Sequence, residues 1–152
     1  EVRLEARSEA RSEVRSARAS RWVDYERWTA TRGRRPMTEI GRGQKTYDYG
    51  IRRGRWLRLE GPDDVLDLMD AGAEGIVAVV RDAGATFLGP IFDELAGVVC
   101  TGGTIRSHIG IVSREDRVPG VIAAQLVEEP ANGTEVELDA SGDEGVIRLV
   151  TP

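Results

Sequence analysis

The chain's length of 152 residues suits one domain, or one domain with an appendage. Its 40% apolar and 31% charged residues are ordinary for a globular protein. Its net charge of −5 combines an arginine-rich start, ten arginines against six acidic residues in residues 1–35, with an acidic remainder. An acidic body argues against nucleic-acid binding. One cysteine, Cys100, excludes an internal disulfide, and no apolar run approaches membrane-spanning length, so we expect a cytoplasmic protein without membrane contact.

The first segment is a short repeat, R-x-E-[AV], present three times in residues 3–14. The repeat predicts a helix with a weakly apolar stripe that continues towards Trp22, Tyr25 and Trp28. Two interpretations stay open. The arm is either a solvated helix or linker cut from a longer protein, in keeping with a chain that begins at Glu1, or a docking helix that forms a homo-oligomer.

A linker is expected next, at residues 31–44, because four glycine and proline residues interrupt it. The predicted organisation is therefore an Arg/Glu-rich helical arm and linker at residues 1–44, followed by a folded domain at residues 45–152. In the domain, strands are expected first at residues 45–49 and 55–59.

The next elements alternate between helix and strand. Gly61-Pro62-Asp63-Asp64 predicts a helix start, with an apolar face of Val65, Leu66, Leu68 and Met69. The β-branched run 75–81 predicts a strand that is buried on both faces.

The rest of the chain completes a mixed α/β domain. Residues 87–95 are expected to be a loop with a short helix, and residues 97–100 a second buried strand. A glycine turn and a helix from His108 follow. A third strand is predicted at residues 118–124, and a closing hairpin at residues 134–139 and 145–150.

The candidate functional site is the glycine turn before His108, which is the only histidine of the chain. Gly102 and Gly103 allow a tight turn whose backbone N–H groups approach a phosphate. Ser107 is expected to cap the helix, and Thr104 supplies a second hydroxyl. A neutral imidazole nitrogen is a nucleophile near neutral pH, so His108 is either a phosphate ligand or a phosphoryl acceptor.

Two arginines and the cysteine complete the predicted site. Arg106 and Arg114 offer fixed positive charge for phosphate oxygens, although Arg114 could equally pair with Glu115 or Asp116. Cys100, at the end of an apolar strand, is expected to be a buried small side chain rather than a nucleophile. No metal site is expected in this chain.

The stretch from Gly103 to Pro119 resembles the phosphohistidine, or swivelling, domain of phosphoenolpyruvate (PEP)-utilising enzymes such as PEP synthase and pyruvate phosphate dikinase. That family has a glycine five residues before the histidine, a small residue directly before it, an arginine six after it and a proline eleven after it. Here these positions are occupied by Gly103, Ser107, Arg114 and Pro119. The closing hairpin is also similar, so the resemblance covers about residues 45–152.

The resemblance implies a three-layer β/β/α swivelling domain, here with an N-terminal helical arm, and a phosphotransferase component rather than a complete enzyme. His108 would relay a phosphoryl group, on Nε2, between a nucleotide or PEP site and an acceptor site. This chain would bind no cofactor. Mg²⁺ and ATP or PEP would be bound by its partners, an ATP-grasp-type nucleotide-binding domain or subunit and a PEP- or substrate-binding domain.

The sequence departs from the family pattern at two positions. Thr104 stands where a second glycine is usual, and Arg106 stands where a threonine is usual. Arg106 removes a hydroxyl that some members use for regulation, so that regulation is not expected here. A non-catalytic relative that serves as a binding or assembly module stays open as the alternative function.

Overall fold

Seven strands, two α-helices and one 3-10 helix make up residues 37–150, the part of the chain that the computed structural model describes. In chain order these are β1 (Met37–Lys45), β2 (Ile51–Arg58), α1 (Pro62–Ala71), β3 (Ile76–Val80), the 3-10 helix (Gly89–Glu94), β4 (Gly97–Cys100), α2 (His108–Asp116), β5 (Gly120–Leu126), β6 (Glu135–Asp139) and β7 (Gly145–Val150). Neither α-helix is long and apolar enough to cross a membrane.

The strands close into a barrel in the order β1-β5-β4-β3-β2-β6-β7, with β7 pairing back onto β1. Strands β2 to β5 are parallel to one another and form the parallel half of the barrel. Strands β1, β6 and β7 pair with antiparallel neighbours and form the antiparallel half. The helices connect the strands of the parallel half.

The prediction of a three-layer β/β/α domain with an N-terminal helical arm is therefore wrong. The seven strands form one continuous sheet that curves until its two ends pair, because β1 forms ladders with both β5 and β7. Separate sheet layers would need free edges that this barrel lacks. The helical arm predicted in residues 1–36 lies outside the described residues.

The barrel separates two hydrophobic cores. The inner core fills the barrel around Trp56, which is fully buried, with side chains from all seven strands. The outer core lies between the parallel half and its helices, where Val65 and Leu68 of α1 and Ile109 of α2 pack. Strands β3 and β4 contribute to both cores, which confirms that they are buried on both faces.

The predicted linker is wrong for residues 37–44, which belong to β1. Gly41 and Gly43 read as chain breakers, but both lie inside the strand. Gly43 lies at an irregularity in the pairing with β5, and Gly41 at one in the pairing with β7. A Cβ at Gly43 would lie 2.6 Å from the carbonyl oxygen of Ile122, so this glycine permits close strand approach rather than a turn. The strand predicted at residues 45–49 does not extend beyond Lys45.

Several local predictions are confirmed. α1 begins at Pro62 with two aspartates in its first turn, as the Gly61–Asp64 pattern indicates. Its apolar face is narrower than expected, because Leu66 and Met69 are exposed. The closing hairpin forms as β6 and β7 in antiparallel register. The short helix expected within residues 87–95 is the 3-10 helix, which begins at Gly89 and includes Pro90.

The outer face of the antiparallel half is charged rather than apolar. Arg53 of β2 lies opposite Glu137 of β6, Glu137 opposite Arg148 of β7, and Arg148 opposite Glu39 of β1. The four residues form a cross-strand row of alternating charge. Glu137 is fully buried within this row.

Candidate functional site

The predicted site lies at the carboxyl end of the parallel half, where two loops meet. One loop follows β3 (residues 81–85), and the other follows β4 and leads into α2 (residues 101–107). The backbone N–H of Thr101 donates to the carbonyl of Val80 at 3.1 Å, and that of Ile109 donates to the carbonyl of Ala83 at 2.8 Å. These bonds anchor both ends of the 101–107 loop, which we call the histidine loop.

Thr104 and Ser107 brace the histidine loop internally. The Ser107 hydroxyl accepts a hydrogen bond from the Thr104 N–H at 3.1 Å, and the Thr104 hydroxyl accepts one from the Arg106 N–H at 3.2 Å. Ser107 occupies the N-cap position of α2, as predicted, but its side chain makes no capping bond. The Ser107 hydroxyl points towards Thr104, away from α2, because the Thr104 N–H donates to it.

The two glycines pack the histidine loop against the neighbouring loop. A Cβ at Gly102 would lie 2.8 Å from the carbonyl oxygen of Arg81. Gly103 has φ +83°, and a Cβ there would lie 2.5 Å from the Cβ of Ala83. The glycine pair therefore serves close loop packing, a role that the sequence analysis did not assign to it.

His108 is the first residue of α2 and its side chain is exposed. Within residues 37–150 its imidazole has no hydrogen-bond or ion-pair partner. The helix below it is held closely: Ile109 is buried, and a Cβ at Gly110 would lie only 2.3 Å from the carbonyl oxygen of Ile105. The backbone that carries the imidazole is therefore tightly packed, while the ring itself is exposed to solvent.

The two arginines differ in what they contact. Arg114 donates from Nη1 to the carbonyl of Ile105 at 2.8 Å, so it reaches back from the last turn of α2 to the histidine loop. It pairs with neither Glu115 nor Asp116 in the described part of the chain. Arg106 is exposed at the tip of the loop. Both guanidinium groups belong to the histidine loop or contact it.

A buried hydroxyl cluster at the other end of α2 was missed by sequence reasoning. Ser113 is fully buried, and its hydroxyl donates to the carbonyl of Val118 at 2.5 Å and lies 2.6 Å from Thr46 Oγ1. The Tyr49 hydroxyl donates to the nearby carbonyl of Gly120 at 3.2 Å. No local pattern marks Thr46 and Tyr49, since their contacts with Ser113 and Gly120 join positions 67 and 71 residues apart.

Cys100 is a buried side chain of β4, as predicted. Burial is the main cause that raises the pKa of its thiol to about 12, with a smaller contribution from Asp82. A thiol that stays protonated is a poor nucleophile. Between residues 37 and 150, no group of three or more His, Cys, Asp or Glu side chains is placed to hold a metal ion.

An open cleft of about 710 Å³ lies beside the histidine loop. Its lining is polar and mixed in charge, with Ile105 as the contribution of the histidine loop, and does not include His108. The lining residues are Arg42, Gly43, Gln44, Lys45, Ile105, Ala123, Gln125, Asp143 and Glu144. His108 therefore stands outside this cleft, on an open surface.

The segment that forms this site matches a known family. Residues 72–143 match the family model described as PEP-utilising enzyme, mobile domain. The matched segment, 72 of the 152 residues, is similar to that family. The match includes the histidine loop, α2 and the strands that support them, which confirms the resemblance drawn from Gly103, Ser107, Arg114 and Pro119. Comparison with curated proteins found no match.

Comparison with solved structures found matches of low sequence identity. An MccF-like protein from Bacillus anthracis str. Ames is 14% identical, with a TM-score of 0.51, over 82% of this chain and 47% of that one. A muramoyltetrapeptide carboxypeptidase from Oxalobacter formigenes is 11% identical, with a TM-score of 0.45, over 85% of this chain and 54% of that one. The chain spans about half the length of either protein.

Proposed function

We propose that this mobile domain is a phosphoryl carrier and that His108 is its acceptor. The observation that supports this most directly is the exposed imidazole at the first position of α2, free of partners in the described chain and inside the family match. A histidine with a structural role would ordinarily use its ring nitrogens in hydrogen bonds with the protein. Within residues 37–150, both ring nitrogens of His108 are without such a partner.

The transfer needs one nucleophile and one leaving group. The neutral imidazole, through Nε2 in our proposal, attacks the phosphorus of the donor; a P–N bond forms and the P–O bond to the donor breaks. ADP leaves when ATP is the donor. When PEP is the donor, enolpyruvate leaves and takes up a proton to become pyruvate. In the second transfer an acceptor oxygen attacks the phosphorus, and the imidazole leaves with its electron pair.

The surroundings of His108 suit the charge that such a group brings. A phosphoryl group on the imidazole would lie near the positive end of the α2 dipole. Arg106 and Arg114, both close to it along the chain, would add fixed positive charge, and Arg114 would have to exchange its bond to the Ile105 carbonyl for a phosphate oxygen. Gly102, Gly103, Thr104 and Ser107 keep the loop in place around it.

The carrier role places donor and acceptor sites on other domains or subunits. Candidates are an ATP-grasp-type nucleotide-binding domain, which would hold Mg²⁺ and ATP, and a PEP- or substrate-binding domain. The exposed position of His108, outside the adjacent cleft, fits an acceptor that enters sites on partners. The identity of the final acceptor would then be set by the partner.

The test uses the fact that the chain has one histidine. The full chain is isolated from its own cells under alkaline conditions and digested after arginine, so that residues 107–114 form one peptide. We expect one added phosphoryl group on this peptide that is lost in acid and kept in alkali. His108→Ala should abolish it, whereas Ser107→Ala, which keeps the imidazole, should retain it.

Two results would contradict the carrier role. One is an acid-stable phosphate that survives His108→Ala, which would assign the group to a serine. The other is a chain that is never phosphorylated while its partners are active, which would favour the binding or assembly module. Addition of labelled ATP or labelled PEP to a cell extract that contains the full chain then distinguishes the two donors.

A further inference from the structure

The outer face of α1 exposes apolar side chains that the fold does not cover. Leu66 and Met69 are 57% and 48% exposed, while Val65 and Leu68 of the same helix are buried in the outer core. Residues three apart lie side by side on a helix surface, so Leu66 and Met69 form one patch. Two large apolar neighbours left in water offer an apolar contact to a segment with complementary side chains.

This patch is surrounded by carboxylates. Residues 62–74, which comprise α1 and the turn after it, contain no arginine or lysine. They contain five acidic residues, which are Asp63, Asp64, Asp67, Asp70 and Glu74. A segment that covers Leu66 and Met69 would therefore need apolar side chains at its centre and positive charge around them.

Residues 1–36 of the same chain have this composition. Ten arginines against six acidic residues give residues 1–35 a net positive charge, opposite to that of α1. Trp22, Tyr25 and Trp28 follow one another at intervals of three, which would place their rings on one side of a helix. Aromatic and arginine side chains are the residue types most enriched at protein interfaces.

The connection is long enough. β1 is antiparallel to β5, so Met37 lies at the carboxyl end of the parallel half, and α1 begins after the carboxyl end of β2 at the same end of the barrel. A seven-strand barrel is roughly 15 Å across. The chain from Trp28 to Met37 can span about 30 Å when extended. A tether of this length keeps the segment at an effective concentration of about 1 mM or more near α1.

We propose that residues 1–36 dock on the outer face of α1 of their own chain, with Trp22, Tyr25 and Trp28 covering Leu66 and Met69 and with arginines facing the carboxylates. The interaction is independent of phosphoryl transfer, because α1 is a different surface from the histidine loop. It leaves His108 accessible. It also gives the arginine-rich segment an acidic partner within its own chain.

Tryptophan fluorescence of the full chain tests the docking. Trp56 is fully buried, so quenching by acrylamide, an uncharged quencher, reports mainly on Trp22 and Trp28. The double variant Leu66→Glu/Met69→Glu should raise the quenching constant roughly twofold or more, since it removes the apolar contact area. Val127→Glu, at a side chain 89% exposed in the turn after β5, is the matched control and should leave quenching unchanged.

The outcomes separate the possible occupants. An increase in the double variant alone, in a chain whose mass in light scattering stays that of a monomer, supports the proposal. An equal quenching constant in wild type, double variant and control overturns it. A wild-type dimer that the double variant converts to monomer also overturns it, because the arm of a second copy would then cover α1. Circular dichroism checks that the variants remain folded, which is expected for substitutions at exposed positions.

Discussion

The two halves of the barrel share one interior but differ in the side chains on their outer faces. The parallel half carries apolar side chains outside as well as inside, and its helices cover them. The antiparallel half has the charged row of Arg53, Glu137, Arg148 and Glu39 on its outside. The candidate site lies at the carboxyl end of the parallel half, where two strand-to-helix loops meet.

We interpret this difference as a division of roles. The parallel half carries the loops of the candidate site, and the antiparallel half completes the barrel. Parallel strands end at one edge, so the loops after β3 and β4 are brought together and can brace each other. Antiparallel strands return directly through short turns and produce no such pair of loops. Three substitutions test the division, in order of decreasing expected effect.

The largest effect is expected at Gly110, in the parallel half. Gly110→Ala places a Cβ against the backbone of Ile105, which cannot move aside cheaply, and should cost about 3 kcal/mol of unfolding free energy. Displacement of the histidine loop should also lower phosphorylation of His108. Gly61→Ala, where a Cβ meets nothing within 4 Å, is the control and should change neither quantity.

Urea denaturation and alkaline peptide analysis of both variants measure these effects. Equal stability of the two variants would show that the histidine loop is not held by the contact between α2 and Ile105. The view that packing in the parallel half holds the histidine loop would then lose its main support.

A smaller effect is expected at Ser113, which connects α2 to the antiparallel half through Thr46 of the turn after β1. Ser113→Ala removes the hydroxyl that contacts the Val118 carbonyl oxygen and Thr46 Oγ1, so these buried oxygen atoms lose a hydrogen-bond partner. The substitution should lower the free energy of unfolding by about 2 kcal/mol. Thr38→Ala, at an exposed hydroxyl on β1, should cost less than about 0.5 kcal/mol. Thermal unfolding of both variants provides the measurement, and similar melting temperatures would refute the structural role of the cluster.

The smallest effect is expected in the antiparallel half, at Asp139. Burial raises the pKa of this carboxyl group, but hydrogen bonds from the Ser141 hydroxyl and N–H and from Arg148 outweigh it and lower the pKa to about 2. A lowered pKa in the folded state stabilises the fold above the unfolded-state value of about 4, and this contribution is lost as the pH falls towards 2.

Asp139→Asn should therefore cost about 1–2 kcal/mol at pH 7 and much less at pH 2. Asp48→Asn, at an exposed carboxylate paired with Lys45, should cost less than about 0.5 kcal/mol at pH 7. Urea denaturation at both pH values measures the difference. A cost at Asp139 that does not change with pH would show that packing, not charge, accounts for it. Phosphorylation of His108 should be unaffected.

Much of the parallel half follows from local pattern. The β-branched runs predict β3 and β4, Gly61-Pro62 predicts the start of α1, and Ser107-His108 marks the start of α2. Each of these signals lies within a few residues of the element it specifies. The family resemblance also rests on such a local pattern, from Gly103 to Pro119.

The closed barrel could not be predicted in this way. Closure depends on the pairing of β1 with β5 and β7, which joins residues 76 to 85 and 102 to 113 positions apart, respectively. The glycines that allow the close approach, Gly41 and Gly43, are the same residues that indicate a linker when read locally. The contacts of Gly102 and Arg114 with backbone carbonyls, and of Gly103 with the Cβ of Ala83, were missed for a similar reason, since no sequence pattern marks these partners.

Closure also determines how the described domain can be held by other proteins. Every strand of the barrel has a neighbour on both sides, so no row of unpaired backbone groups is offered to an incoming strand. A partner must therefore bind side chains, loops or helices. Such contacts form and dissociate more readily than the backbone hydrogen bonds of a sheet shared between two proteins. For the phosphoryl carrier that we propose, releasable contacts of this kind would allow the domain to bind a donor site and an acceptor site in turn.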